Sequence, residues 1–474
     1  MNKYLGLIGL MAIFSLTWLA CGQNVDPSVY NKAAANPGFY HRAQKDLTDI
    51  MVHDIFSPPV ASRVYSYCNI AAYEALQPAF PEYKSLAGQL TDLTPVPLPD
   101  GNQEVNHSLA AMQAFLKIKR KLVFSQEKIE AFETEIYAKY RAAGLPEDVF
   151  ERSIAYGNTV AAHIIAWADK DNYKETRTAP RYNVTTAVGR WTPTPPDYMD
   201  AIEPHWNTIR PFVIDSATQF IPVRPTALVM NADGKGLDES SKFYEELMEV
   251  YKAVKDRTPE TEEIAEFWDC NPFATEHIGH VVYAIKKISP GGHWMGISSQ
   301  VLRKEEADLM KSVAVYTSVS IALADAFISC WDEKYRSNLI RPETVINEHI
   351  DPDWRPLLQT PPFPEYTSGH SVISTAAALT LTNWFGDDYG FADSTEVEFD
   401  LPVRSYDSFL AASQEAAVSR LYGGIHYRPA IDQGVAQGEK VGNYVIANIE
   451  FLSGGQANAK EPQNAEQASN EGNK

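Results

Sequence analysis

Cysteine is scarce in this chain: four residues in 474. Cys21 sits in an apolar leader, and the remaining Cys68, Cys270 and Cys330 are odd in number. At least one thiol is therefore unpaired. No Cys-x-x-Cys spacing occurs, which argues against a structural zinc site. Excess positive charge is also missing. With 41 Lys and Arg against 61 Asp and Glu the formal charge is −20. No basic footprint exists to cover nucleic-acid phosphates or to dock on anionic lipid. Beyond the N-terminus, no uninterrupted apolar run reaches the roughly 20 residues that a membrane span needs. The nearest, Met310–Trp331, is broken by Lys311 and Asp325. Strand alternation bounded by hairpin turns is hard to find, and no repeat recurs at a fixed period. What is present is 45% hydrophobic and 22% charged residues. That is globular composition, in a chain long enough for two or three packing units.

The N-terminal 21 residues read as a targeting segment. Lys3 supplies a short positive region, Tyr4 to Ala20 carry no charge, and Cys21 follows Leu19-Ala20. This pattern predicts a lipoprotein signal over 1–21, with Cys21 lipidated after cleavage. Trp18 stands where the usual motif has Leu, so simple removal of the segment, or a single anchor helix, stays open. The protein is expected to be exported, as a periplasmic or cell-surface lipoprotein of the outer membrane. Its only membrane contact would be that lipid anchor.

Residues 22–44, rich in Asn, Pro and Ala, read as a tether, and 454–474 as a disordered Gln/Asn/Glu/Ala tail. Between them the apolar period is helical. Val64, Cys68, Ala71 and Ala75 share one face after Pro58-Pro59. Ile129 to Tyr140 form a run opened by Ser125 and closed by Gly144 and Pro146. Phe243, Leu247, Tyr251 and Val254 mark another, and Thr258-Pro259 has the form of an N-cap with Pro at the first helical position. Leu309, Val313, Tyr316, Ala324, Phe327 and Trp331 stripe a long helix, and residues 405–422 and 430–451 give two more. The reading is an all-α protein of two helical bundles, 45–205 and 206–453. A Pro- and Trp-rich connector over 190–225 drapes across them.

Three clusters carry the chemistry. In Lys334-Tyr-Arg-Ser-Asn-Leu-Ile-Arg341-Pro342 the two outer cations are seven apart, about two helical turns, so both would lie near one face. By itself this reads first as a solvated helix end with basic residues near its C-terminus. In Pro361-Pro-Phe-Pro364-Glu-Tyr-Thr367-Ser368-Gly369-His370 a proline-rich loop delivers Ser-Gly-His to a helix start. There a hydroxyl, a closely approachable N–H and the helix dipole suit an anion; an ordinary capped helix with a surface His is the alternative. In Ser419-Arg420-Leu-Tyr-Gly423-Gly424-Ile-His426 the glycines end the helix that carries Arg420 and turn His426 back towards it. Taken together, three cations, a Ser, a Gly N–H and two His are the complement that a tetrahedral oxyanion needs. One His could attack or coordinate the central atom, and the other could move a proton.

Lys-x6-Arg-Pro, then Ser-Gly-His, then Ser-Arg-x5-His resembles the signature shared by vanadium-dependent haloperoxidases and type 2 phosphatidic acid phosphatases. With the helical pattern and the connector, the resemblance covers residues 45–452. It implies that Lys334, Arg341 and Arg420 bind equatorial oxygens of vanadate or phosphate, with Ser368 and the Gly369 N–H adding hydrogen bonds. His426 would be the axial vanadium ligand, or the phosphorylated nucleophile of an acid phosphatase. His370 would be the acid–base at the apical oxygen, titrating near the working pH.

Phe363, seven before His370, and Trp331, three before Lys334, fall where the haloperoxidases line the halide pocket; core packing is the alternative for each. This aromatic pair resembles the chloroperoxidase and bacterial iodoperoxidase types, whereas algal bromoperoxidases carry His at the position of Phe363. The phosphatase relatives are mostly multi-span membrane proteins, unlike this chain. The resemblance therefore favours oxidation of halide, iodide first, by hydrogen peroxide on vanadate, with no protein partner; exported phosphatase chemistry at the same site is the alternative. Two departures stand out. Thr367 replaces the usual Pro before Ser-Gly-His, and no acid lies four residues after His426. Asp432, Asp269 and Asp332 are the acids considered as outer partners of the cradle, Asp269 as a brace for Arg420.

Overall fold

A computed structural model describes residues 26–454, apart from Asn102 and Gly279. The leader with Cys21 and nearly all of the C-terminal tail fall outside the described residues. Among the described residues the regular structure is predominantly helical. The N-terminal helices are α1 (Pro27–Ala34), α2 (Pro37–His53), α3 (Pro58–Leu76), α4 (His107–Leu122), α5 (Gln126–Ala142), α6 (Glu147–Ala168) and the short α7 (Tyr173–Thr178). The C-terminal ones are α8 (Lys242–Lys255), α9 (Pro259–Phe267), α10 (Pro290–Lys304), α11 (Leu309–Ser337), α12 (Pro342–His349), α13 (Gly369–Phe385), α14 (Phe409–Tyr422) and α15 (Arg428–Asn448).

The proposed tether is corrected by α1 and α2. Asp26 accepts the Ser28 N–H at 2.9 Å and Asn36 the Gly38 N–H at 2.8 Å, each followed by Pro at the first helical position. Asp26 and Asn36 are therefore N-caps, and the prolines that contributed to the tether reading open helices. Tyr30, Ala34, Tyr40 and Ala43 are buried, and the Tyr40 hydroxyl donates to Asn69 at 2.6 Å. This segment is part of the bundle.

α3, α4 and α6 pack on one another, and α3 also lies on α11. α11 packs in turn on α13, which α14 and α15 flank. One apolar core runs from Tyr30 to Phe451 through both groups of helices. α11 is long and apolar enough to cross a membrane by length and composition, yet its apolar stretch is wholly buried inside the protein. Its Asp325, which breaks the apolar run in sequence, fastens the connector. The carboxylate accepts the N–H groups of Phe212, Val213 and Ile214 at 2.7, 2.8 and 3.0 Å. Burial pushes this carboxyl up to about 6 against those three bonds.

α15 lies very close to α13. A Cβ at Gly438 would meet the Val372 carbonyl oxygen at 2.3 Å, and one at Gly434 the Ser371 Cβ at 2.8 Å. The Gly434, Gly438, Gly442 row thus sets how far α15 sits from the helix whose first turn carries Ser368 and Gly369. Two short hairpins escape the sequence pattern: β1 (Thr275–Ile278) with β2 (Val281–Ala284), and β3 (Phe391–Asp393) with β4 (Arg404–Tyr406). Three or four residues are too few for alternation to be read.

Candidate active site

The cradle is built by chain reversals. α11 carries Lys334 in its last turn and stops at Asn338, in the left-handed region with φ 49°. Arg341 is therefore not on the helix of Lys334, as the seven-residue spacing implied; it is the N-cap residue of α12. The two cations still converge, because both hold the Pro361–Thr367 loop. Lys334 Nζ donates to the Pro364 and Glu365 carbonyls at 3.3 and 3.1 Å, and to that of Thr367. Arg341 Nε donates to Phe363 O at 2.9 Å, and Nη1 to Ile425 O at 2.8 Å.

Ser368 caps α13, accepting the Ser371 N–H at 3.3 Å, and Gly369 is the first helical residue. A Cβ on Gly369 would point at Trp331 and Lys334, at 3.7 and 4.0 Å. Thr367 is not a cap; its hydroxyl donates to Gln437 at 2.7 Å. α14 ends at Gly423, and Gly424 at φ 77° turns the chain so that His426 re-enters the space next to Arg341. Arg420 Nε donates to Ser419 Oγ at 2.9 Å and Nη2 to Ala265 O at 3.3 Å.

All three cations are buried, and among the described residues none forms an ion pair; their partners are carbonyls, a hydroxyl and a ring nitrogen. Burial accordingly pushes Lys334 down to about 8, Arg341 down to about 10, and Arg420 below its usual range. An uncompensated buried charge is costly, so this cluster is poised for an anion of two or more charges.

The partner of His426 is Glu365, a residue that sequence reasoning missed. Its Oε1 lies 2.8 Å from Nδ1 and accepts the Tyr427 N–H at 3.0 Å. Burial raises the Glu365 carboxyl to about 8, against the pull of Arg341 and Lys334, and Oε2 has no hydrogen-bond partner. Arg341 can only donate, so its contact with Nε2 assigns the lone pair to Nε2 and the ring proton to Nδ1, which Oε1 accepts. Arg341 Nη1 lies 3.3 Å from that Nε2. Burial, reinforced by Arg341, Lys334 and Arg420, holds the imidazole well below its usual range, so it is neutral.

The other acids do not reach His426. Asp432 is exposed on α15, near Arg428 and Glu249. Asp332 accepts from Arg336 at 3.0 Å and from Asn207 at 3.1 Å. Asp269 pairs with Lys287, and its charge acts on Arg420 only from a distance. The one signal for Glu365 was its place in the loop, three residues before Ser368.

His370 lines the same pocket. The Trp268 backbone forms a hydrogen bond with its ring, and Nε2 has no partner. Burial, with Arg420 and His293 adding to it, pushes its pKa well below the usual value. Trp331 and Phe363 also line the pocket, with ring centroids 5.0 Å apart. The Lys334 ammonium sits 5.0 Å from the Phe363 centroid.

Residues 314–455 match the family model of the VCPO second helical-bundle domain. Among solved structures, the first bacterial vanadium-dependent iodoperoxidase matches at 51% identity and a TM-score of 0.82, over 88% of this chain and 97% of that one. A holo-type bacterial vanadium-dependent chloroperoxidase matches at 16% identity and a TM-score of 0.62, over 83% of this chain and 93% of that one. The apo-type form is alike, at 16% and 0.61; at that identity the likeness is one of fold. No curated protein sequence matches the chain.

Proposed function

This chain belongs to the vanadium-dependent haloperoxidases, and from that premise we propose that it oxidises halide, iodide foremost, with hydrogen peroxide on a vanadate held by the cradle. The observation that carries the reading is the group of three buried, unpaired cations around the lone pair of His426 Nε2. The donors suit vanadate. The cations and the first turn of α13 would take its oxygens, and the neutral Nε2 would take the vanadium. Bound there, vanadate supplies Lewis-acid polarisation of peroxide, so that a halide can take up one oxygen without a change in the metal's oxidation state.

The protein's own part is orientation and proton handling. Glu365 holds the tautomer and the ring plane of His426. Lys334, Arg341 and Arg420 would neutralise the anion; carbonyl bonds to the loop fix Lys334 and Arg341, and bonds to Ser419 and the Ala265 carbonyl fix Arg420. His370 Nε2 is aimed into the pocket with no protein partner, the condition for holding or passing a proton there. An anion beside it would raise its pKa, working against the burial and the cations that depress it. Trp331 and Phe363 wall the side where the halide would approach and limit water there. Iodide is favoured by the iodoperoxidase neighbour and because it is the most easily oxidised of the three halides.

The same reading includes export, with Cys21 lipidated; Cys21→Ser would then shift the protein from the membrane to the soluble fraction. The decisive test is purification, incubation with orthovanadate, and assay of triiodide formation from iodide and peroxide beside hydrolysis of a phosphate ester. Vanadate-dependent triiodide formation is expected. Ester hydrolysis by the unloaded protein, with no iodide oxidation after loading, would overturn the assignment in favour of a phosphohistidine at His426.

A further inference from the structure

A second cluster of ligating groups lies beside the cradle, and it has no place in the reaction above. Cys270, in the loop after α9, faces His293 of α10 and Glu396, three residues beyond β3; all three side chains are buried. Cys270 Sγ is 3.4 Å from His293 Nδ1 and 3.9 Å from Glu396 Oε1, and Nδ1 is 3.0 Å from Oε1. On the far side of the ring, Nε2 lies 2.7 Å from Asp393 Oδ2, and Asp393 Oδ1 accepts the Thr395 N–H at 2.9 Å. Trp268 stacks on the imidazole, with centroids 4.5 Å apart and planes 17° apart.

We propose that Cys270 Sγ, His293 Nδ1 and Glu396 Oε1 bind a divalent zinc-type cation, with Asp393 orienting His293 from the outer side. The three ligating atoms converge on one point, where the Cys270 thiol donates to Glu396 Oε1 and Nδ1 faces the same oxygen; a divalent cation would displace the thiol and Nδ1 protons. The spacing suits coordination. Tetrahedral bonds of about 2.0–2.3 Å place sulfur about 3.5 Å from nitrogen and from oxygen, and nitrogen about 3.3 Å from oxygen. The Asp393 contact is the outer-sphere carboxylate that metal-bound histidines commonly use. It leaves Nδ1 free of its proton when Nε2 carries the hydrogen. A thiolate, an imidazole and a carboxylate are the donor types that zinc accepts, with a fourth position left for water. The site would tie the loop after α9 and the β3 segment to α10. No Cys-x-x-Cys spacing announces it, because its donors come from three separate segments.

The test uses the full-length protein, stripped with chelator and then loaded with zinc or with cobalt(II). Wild type is expected to retain about one zinc per chain after dialysis. Its cobalt form should show a thiolate-to-cobalt charge-transfer band, since Cys68 and Cys330 are buried elsewhere. Cys270→Ser should lose that band and the retained zinc, and Asp393→Asn should weaken zinc binding about 10–100-fold. Circular dichroism would confirm that both variants fold. Wild-type protein with no retained zinc, or a cobalt spectrum without the thiolate band, would overturn the proposal whether or not the variants fold. So would full zinc retention by folded Cys270→Ser.

Discussion

Glu365 shows how much of this site depends on one acceptor. Its Oε1 serves both His426 Nδ1 and the Tyr427 N–H, so removing it leaves two buried donors unsatisfied and the ring free to rotate. Glu365→Ala is therefore expected to weaken vanadate binding about 10–100-fold. Glu365→Gln keeps a carbonyl acceptor and should retain most of the affinity. Titration of both variants with vanadate decides the matter; equal losses would mean that charge, not the acceptor, is what His426 requires. Lys334 makes a pH prediction. Burial sets its pKa near 8, so the ammonium is intact below that value and lost as pH rises through it. Oxyanion affinity should fall above about pH 8 in wild type, and the fall should move to higher pH in Lys334→Arg. Superimposable pH profiles would assign the fall to the anion's own titration. The cradle residues were legible because their spacing in three ordered blocks is specific. Glu365 was not, because acids near His426 in sequence, such as Asp432, point outwards from α15, whereas the partner that reaches it comes from a different loop.

At the scale of elements, the site depends on how closely α15 approaches α13. Their contact is backbone against glycine, so even one methyl group has no room. Gly438→Ala would bring its Cβ to 2.3 Å from the Val372 carbonyl oxygen, and the helices would have to separate. A loss of about 1–3 kcal/mol in unfolding free energy is expected, and vanadate affinity should fall with it, since α13 presents Ser368 and Gly369. Unchanged denaturant midpoints would show that the helices can slide apart freely. The long amphipathic helices were legible from period alone. α1 and α2 were not, because Asp-Pro and Asn-Pro serve both linkers and helix starts, and only burial of Tyr30 and Tyr40 separates the two. The long reach of Arg341 likewise depends on the left-handed turn at Asn338, which no periodicity contains.

Across the whole molecule, charge is segregated. The sum of −20 belongs to the whole chain, while Lys334, Arg341 and Arg420 are buried within it. A negative total is thus compatible with a local anion site. This segregation has a kinetic consequence for a reaction with one charged and one neutral small substrate. Iodide must cross the field of an acidic exterior before it reaches the aromatic wall of the pocket, whereas hydrogen peroxide is indifferent to that field. Screening shortens the field from about 30 Å at 0.01 M salt to about 8 Å at 0.15 M. Raising ionic strength over that range, with a salt whose anion does not compete for the cradle, should increase kcat/KM for iodide about two- to tenfold. The value for peroxide should stay flat. A fall for iodide instead would mean that the buried cations project their field through the pocket mouth and attract halide, outweighing the acidic shell.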